Sequence, residues 1–462
     1  MSNTSLSNRR RFLSQTTQLT AGAALAGNPL WSMGQDSGAR PRQDPRVTPI
    51  LPQNRVPLSF IIDDSTCLVN LAHFAIPQFA QVFPDRYRQP WRELPREIPD
   101  AFVEKFIGWC RDHGVKGKYS VVPYPACVGW MDRDLPGWSR QELQASLRLV
   151  RDEVTKDWDI HPEMVSHTWV IDTKTGRPYQ EKSEYFMENW RWTDGKSVDQ
   201  LTGYLAYALQ ILKNVDLPCE GITTPGGFGN RVLPQLSQAT LQSVRSVYGA
   251  EIPHYFRHLY TDERSVAPRV EYAAGLETAD PECVVSIIGC TGDWFGGWDG
   301  LTPGNVDRFI TEDLEGGRLP EVIDRGEPAI MVCHWPGIYY NGEELGFNIF
   351  KEAVRRVHAR NDNLIWMKLS ELSRYWAAKE LTSIEVDANG ATLLAPFACP
   401  KFTIAIDVPN IREVGAQNPT DAIPFLPIDD WKRLDHANFA TEDTRTLVCF
   451  DLPKGRTRLT WR

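Results

Sequence analysis

Between residues 56 and about 380, short apolar runs alternate with amphipathic stretches, and this alternation constrains the fold more than any other feature. The runs VPLSFII (56–62), VKGKYSVVP (115–123), MVSHTWVI, CEGITT, VVSIIG, PAIMVCH and NLIWMKL read as strands buried on both faces. PDAFVEKFIGWCRDHG, SRQELQASLRLVRDEV, SVDQLTGYLAYALQILKNV, LPQLSQATLQSVRSVYG, GFNIFKEAVRRVHAR and SELSRYWAAK carry helical periodicity. Ser139, with Glu142 three positions on, has the spacing of a capping box and opens the second helix. Parallel strands need such crossovers, so the pattern predicts right-handed βαβ units. Seven or eight units over about 320 residues predict an α/β fold, a (β/α) barrel of seven or eight strands, with an open doubly wound sheet as the alternative.

From about residue 381 the texture changes. SIEVDANGATLLAPFACPKFTIAIDV and TLVCFDLPKGRTRLTWR alternate apolar and polar residues around Asn-Gly and Lys-Gly turns, which predicts a small antiparallel β domain over 381–462, a sandwich being one form of it. Residues 27–55 are rich in Pro, Gly and Arg and read as a linker ahead of the barrel domain, 56–380.

The first 26 residues read as an address. SNRRRFLSQ resembles the twin-arginine export signal, with Arg9 and Arg10 as the pair, and the run LTAGAALA ends in Ala24-Leu25-Ala26, a small-residue cleavage pattern. The expectation is export by the twin-arginine pathway to the periplasm or beyond. No later segment has the roughly 20 apolar residues of a membrane span. The formal charge is -9 and no basic stripe follows the N-terminus, which argues against nucleic acid or an anionic membrane as partner. The nine Cys lack any CxxC pair and read mostly as buried thiols, Cys399 and Cys449 being the one pair to test for a disulfide. Sixteen Trp and fourteen Tyr suit surfaces that stack on sugar rings, although core filling is the commoner use.

In parallel α/β folds the site lies at the carboxyl ends of the strands, and here those ends carry polar groups in a consistent order. Asp63 and Asp64 close the first strand, His167 the third and Pro225-Gly226-Gly227 the fourth; Asp293-Trp294 follows VVSIIG and His334 ends PAIMVCH. That order resembles the NodB-type polysaccharide deacetylases of the glycoside hydrolase/deacetylase β/α-barrel superfamily, over roughly residues 55 to 380. FIIDDS is similar to the TFDDG motif, PEMVSHTW to the histidine motif, TTPGGFG to the RxPxG groove motif, GDW to the Asp-Trp motif and MVCHW to the final motif. The resemblance implies Asp63 as general base, Asp64 and His167 as ligands of a divalent metal, zinc for preference, and His334 as general acid. It departs at Ile171, where the family has a second His, leaving Asp172 or His161 to complete the ligand set, and at Thr223, which replaces the Arg expected to orient the base.

Amide hydrolysis needs an activated water, a site for the developing oxyanion and a proton for the departing amine. Adjacent carboxylates suit the first need, because one can bind a cation while its neighbour stays free to take a proton. Pro225, Gly226 and Gly227 with Asp293, Trp294, Trp298 and Trp335 are the expected substrate-binding residues. The implied activity is removal of acyl groups from amide-linked sugar substituents. A glycoside hydrolase using Asp63 and Asp293, and a carbohydrate-binding barrel without turnover, remain as alternatives.

Overall fold

The computed structural model describes residues 40–462. The export signal and the first part of the expected linker lie outside the described residues. The strand Val56–Asp63 runs parallel to Ala329–His334, to Leu364–Trp366 and to Gly117–Ser120, and the last of these pairs onward with Trp158–His161. A second sheet holds Gly221–Thr223, His254–Leu259 and Glu282–Gly289 in parallel, with Arg269–Ala274 antiparallel to Glu282–Gly289. The two parallel sheets touch twice. Glu163 and Thr223 form a parallel bridge, and the Cys290 N–H donates to the Ile330 carbonyl at 2.8 Å.

Helices connect these strands as the periodicity predicts, including Arg140–Asp152, whose capping box between Ser139 and Glu142 is formed on both sides. Strand alternation divides the core. Phe60 and Ile62 face the helices, where Phe60 stacks on Phe350 at 4.2 Å. Ile61, Val285, Ile287, Ile330 and Val332 face the other way and join Met367, Tyr375, Phe402 and Ile404 in a second apolar cluster. The C-terminal β region therefore shares a core with this second face of the parallel strands.

Three expectations shift. The third strand is Trp158–His161, ended by Pro162, and the apolar run around His167 is instead a tight loop in which Met164 and His167 take positive φ. His254–Leu259 and Arg269–Ala274 are strands that the sequence pattern missed, because His254, Arg257 and Glu271 break their apolar runs. Val47–Pro49, inside the stretch read as linker, pairs antiparallel with Cys399–Ile406, and Val47 is fully buried. The Tyr375 hydroxyl donates to the Ile50 carbonyl at 2.9 Å and fixes the same segment.

From Ser383 the regular structure is strand apart from one short helical turn, and its nine strands with Val47–Pro49 make two five-stranded sheets. All nine thiols are free, Cys399 and Cys449 included; Cys399 sits opposite Leu452, whereas Cys449 sits opposite Thr403 and Asn438. Among the described residues no helix is long and apolar enough to cross a membrane.

Candidate metal centre

Three buried side chains meet at the carboxyl ends of the parallel strands. The His167 Nε2 lies 2.8 Å from Asp64 Oδ1 and 3.1 Å from Glu163 Oε1, and one donor atom from each residue falls within 4.8 Å of the other two. Asp64 follows directly on the first strand; Glu163 and His167 belong to the loop after the third. An imidazole with two carboxylates is a donor set that zinc accepts. Asp64 Oδ1 is buried and lacks a hydrogen bond of good geometry, so it has a lone pair to spare. The residues present fit a divalent cation.

Backbone strain marks the same residues. Asp64 has φ +58° and His167 φ +63°, left-handed values that cost a non-glycine residue about 1–3 kcal/mol. Each is held by a buried glutamate. The Asp64 N–H donates to Glu163 Oε2 at 2.8 Å, and the His167 N–H to Glu188 Oε2 at 2.5 Å. Glu188 also accepts the N–H groups of Val165 and Ser166, at 3.1–3.2 Å, and the hydroxyl of Tyr204. Burial pushes the Glu188 carboxyl up to about 7 against these bonds.

Burial opposes charge on His167, but Asp64 and Glu163 outweigh it and hold the imidazole well above its usual range. Glu163 moves down, because His167 and the Asp64 N–H favour its charged form against burial.

Beside this group, Asp63 ends its strand facing Lys118 of the next one. Lys118 is wholly buried, and its Nζ donates to Asp63 Oδ1 at 2.5 Å, to the Ile62 carbonyl at 2.8 Å and to Ser120 Oγ at 2.8 Å. Burial raises the Asp63 carboxyl to about 6, with Lys118 working against it. Thr223 leaves no arginine here, and the lysine faces Asp63 from a different strand. His334 lies 3.2 Å by Nδ1 from Asp293 Oδ2. Burial lowers the His334 imidazole, but Asp293, Asp64 and Asp63 carry it up to about 10.

The structure thus brings together Asp63, Asp64, His167, Asp293 and His334, and it adds Glu163. His161 and Asp172 do not complete the ligand set. His161 ends the third strand inside the sheet, its Nε2 2.9 Å from His254 Nε2, where burial holds it well below its usual range. Asp172 lies on a surface hairpin and closes a turn, accepting from Lys174 N–H at 3.0 Å.

The expected substrate residues separate too. Trp335 is 1 % exposed and packs on Phe102, Phe106 and Tyr119, so it is core and not a pocket wall. Trp294 is buried against Phe309, with Arg308 over its ring. Trp298 is half-buried beside Tyr87 and Phe79. Pro225 is buried, whereas Gly226 is exposed and Gly227 half-exposed, the Gly227 N–H donating to the Asn189 carbonyl at 2.6 Å.

No family model matches the chain, and no curated protein matches it. Among solved structures, a probable polysaccharide deacetylase from Pseudomonas aeruginosa PAO1 is similar at TM-score 0.37 and 12% identity, over 70% of this chain and 91% of that one. A glycoside hydrolase family 30 subfamily 8 xylanase from Clostridium acetobutylicum gives TM-score 0.25 at 7% identity, over 90% of this chain and 99% of its own. The catalytic domain of a GH30 xylanase C from Talaromyces cellulolyticus gives 0.24 at 7%, with the same coverages of 90% and 99%. TM-scores this low leave both fold and activity to be argued from the chain's own residues.

Proposed function

We propose that this chain is an exported, metal-dependent hydrolase that removes acyl groups from amide-linked substituents of a carbohydrate, on a (β/α) barrel of the polysaccharide deacetylase type. The observation that carries the reading is the buried group of Asp64, Glu163 and His167 beside Asp63 and His334, all at the carboxyl ends of parallel strands. Asp64, Glu163 and His167 would hold a divalent cation, zinc for preference. When bound, such an ion acidifies a water and polarises the acyl oxygen.

The remaining work falls to the chain. Asp63, aimed by the fixed Lys118 ammonium, takes a proton from the attacking water. His334, kept protonated by the carboxylates around it, delivers a proton to the departing nitrogen. Asp293 orients that imidazole through Nδ1. Glu163, four residues before His167, fills the place left open by Ile171.

The test is metal content and turnover together. Purified protein should hold one zinc per chain and release acetate from N-acetylated glucosamine oligomers. Protein that holds no metal even after zinc supplementation would favour the binding-only barrel. Zinc-loaded protein that cleaves glycosidic bonds but frees no acetate would favour the glycoside hydrolase.

A further inference from the structure

The Pro225-Gly226-Gly227 turn packs on the backbone of Asn189. The Gly227 N–H donates to the Asn189 carbonyl at 2.6 Å. Gly226 has φ +44°, and a Cβ there would stand 2.6 Å from that same carbonyl oxygen, so the approach tolerates glycine alone. The other face of Asn189 meets the metal centre. Its side-chain amide lies 3.4 Å from His167 Nδ1, on the opposite edge of the ring from Asp64 and Glu163. Its Oδ1 is buried and accepts no hydrogen bond.

A histidine that ligates through Nε2 carries its proton on Nδ1 and needs an acceptor there, since that bond sets tautomer and ring orientation. Nδ1 has the Asn189 amide as its near neighbour, and that amide has an oxygen without a partner. Half a turn of the amide about its terminal bond exchanges oxygen for nitrogen and satisfies both groups at once. We propose that Asn189, held by the Pro225-Gly226-Gly227 turn, is the positioning residue that accepts from His167 Nδ1–H and so presents Nε2 to the metal. This rests on the metal-site reading above. It gives the glycine turn a role in building the metal site in place of a direct contact with substrate.

The test measures zinc affinity of the full chain by competition with a chromophoric chelator, with circular dichroism and thermal unfolding to follow the fold. Asn189→Leu should weaken zinc binding about 10–100-fold. Asn189→Asp, which keeps an acceptor oxygen, should stay within about threefold of the parent, while Gly226→Ala should weaken binding in the direction of the leucine variant. Long-range proton–nitrogen NMR of the unaltered zinc-loaded chain should show His167 protonated at Nδ1. Unchanged affinity in Asn189→Leu, or a His167 bound to zinc through Nδ1, overturns the proposal while the metal site stands. Unaltered protein that takes up no zinc removes the metal site and this inference with it.

Discussion

Replacing Glu188 with glutamine should separate global stability from metal affinity. The carboxylate accepts three backbone N–H groups and one hydroxyl. With the glutamine oxygen on the His167 side, its NH2 faces Val165, leaving one buried N–H without an acceptor at a cost of about 1–3 kcal/mol. Against this, burial has moved the Glu188 carboxyl from 4.5 to about 7, an electrostatic penalty of about 3 kcal/mol that the amide escapes. The opposing contributions nearly cancel, so urea unfolding at pH 8 should place Glu188→Gln within about 2 kcal/mol of the parent. Affinity has no such offset. His167 is held at φ +63° by this anchor, and chelator competition should show zinc binding about 10–100-fold weaker. Parent-like affinity in a folded variant would refute the anchoring argument.

Asp63→Asn should lower acetate release from N-acetylated glucosamine oligomers by about 10²–10⁴-fold with zinc content intact; full activity would remove Asp63 as base. Lys118→Met should cost about 3–5 kcal/mol in urea unfolding by stranding Asp63, and Lys118→Met with Asp63→Asn should recover much of it; strict additivity would contradict the pairing. Asp159 is raised to about 6 by burial, although it accepts from the Ser370 N–H and hydroxyl. Its folded pKa exceeds the unfolded value of about 3.8, so the stability it adds is present below that pH and lost as pH rises through about 6. From pH 4 to 7 the parent should therefore lose about 2 kcal/mol more unfolding free energy than Asp159→Asn does, and equal losses in the two would contradict the assignment.

The sequence made the strand–helix alternation and several of the polar strand ends legible, because apolar periodicity and the polar residue closing a strand are local signals. Asp63, Asp64 and His334 needed no more than that. Glu163 carries a signal as well, a carboxylate four residues ahead of His167, but reading the apolar run around His167 as a strand hides the tight loop that brings the two side chains together. Pro162 was the mark that the strand had already ended. Lys118 and Glu188 were not legible, since charged side chains belong at the surface by composition alone, and their partners lie 55 and 21 to 23 positions away. Trp335 misled for the opposite reason. It follows His334 directly, yet it turns into the core formed by Phe102 and Phe106.

Val47–Pro49 finds its partner in Cys399–Ile406, on the order of 350 positions further on. At roughly 5–20 residues per second of translation, this early segment waits about 20–70 s before its mate leaves the ribosome. Until then it is a naked edge, open to chaperone or protease. Its docking acts as a latch that closes only after Cys399–Ile406 has been made, so products that terminate ahead of that strand are left with the segment unpaired.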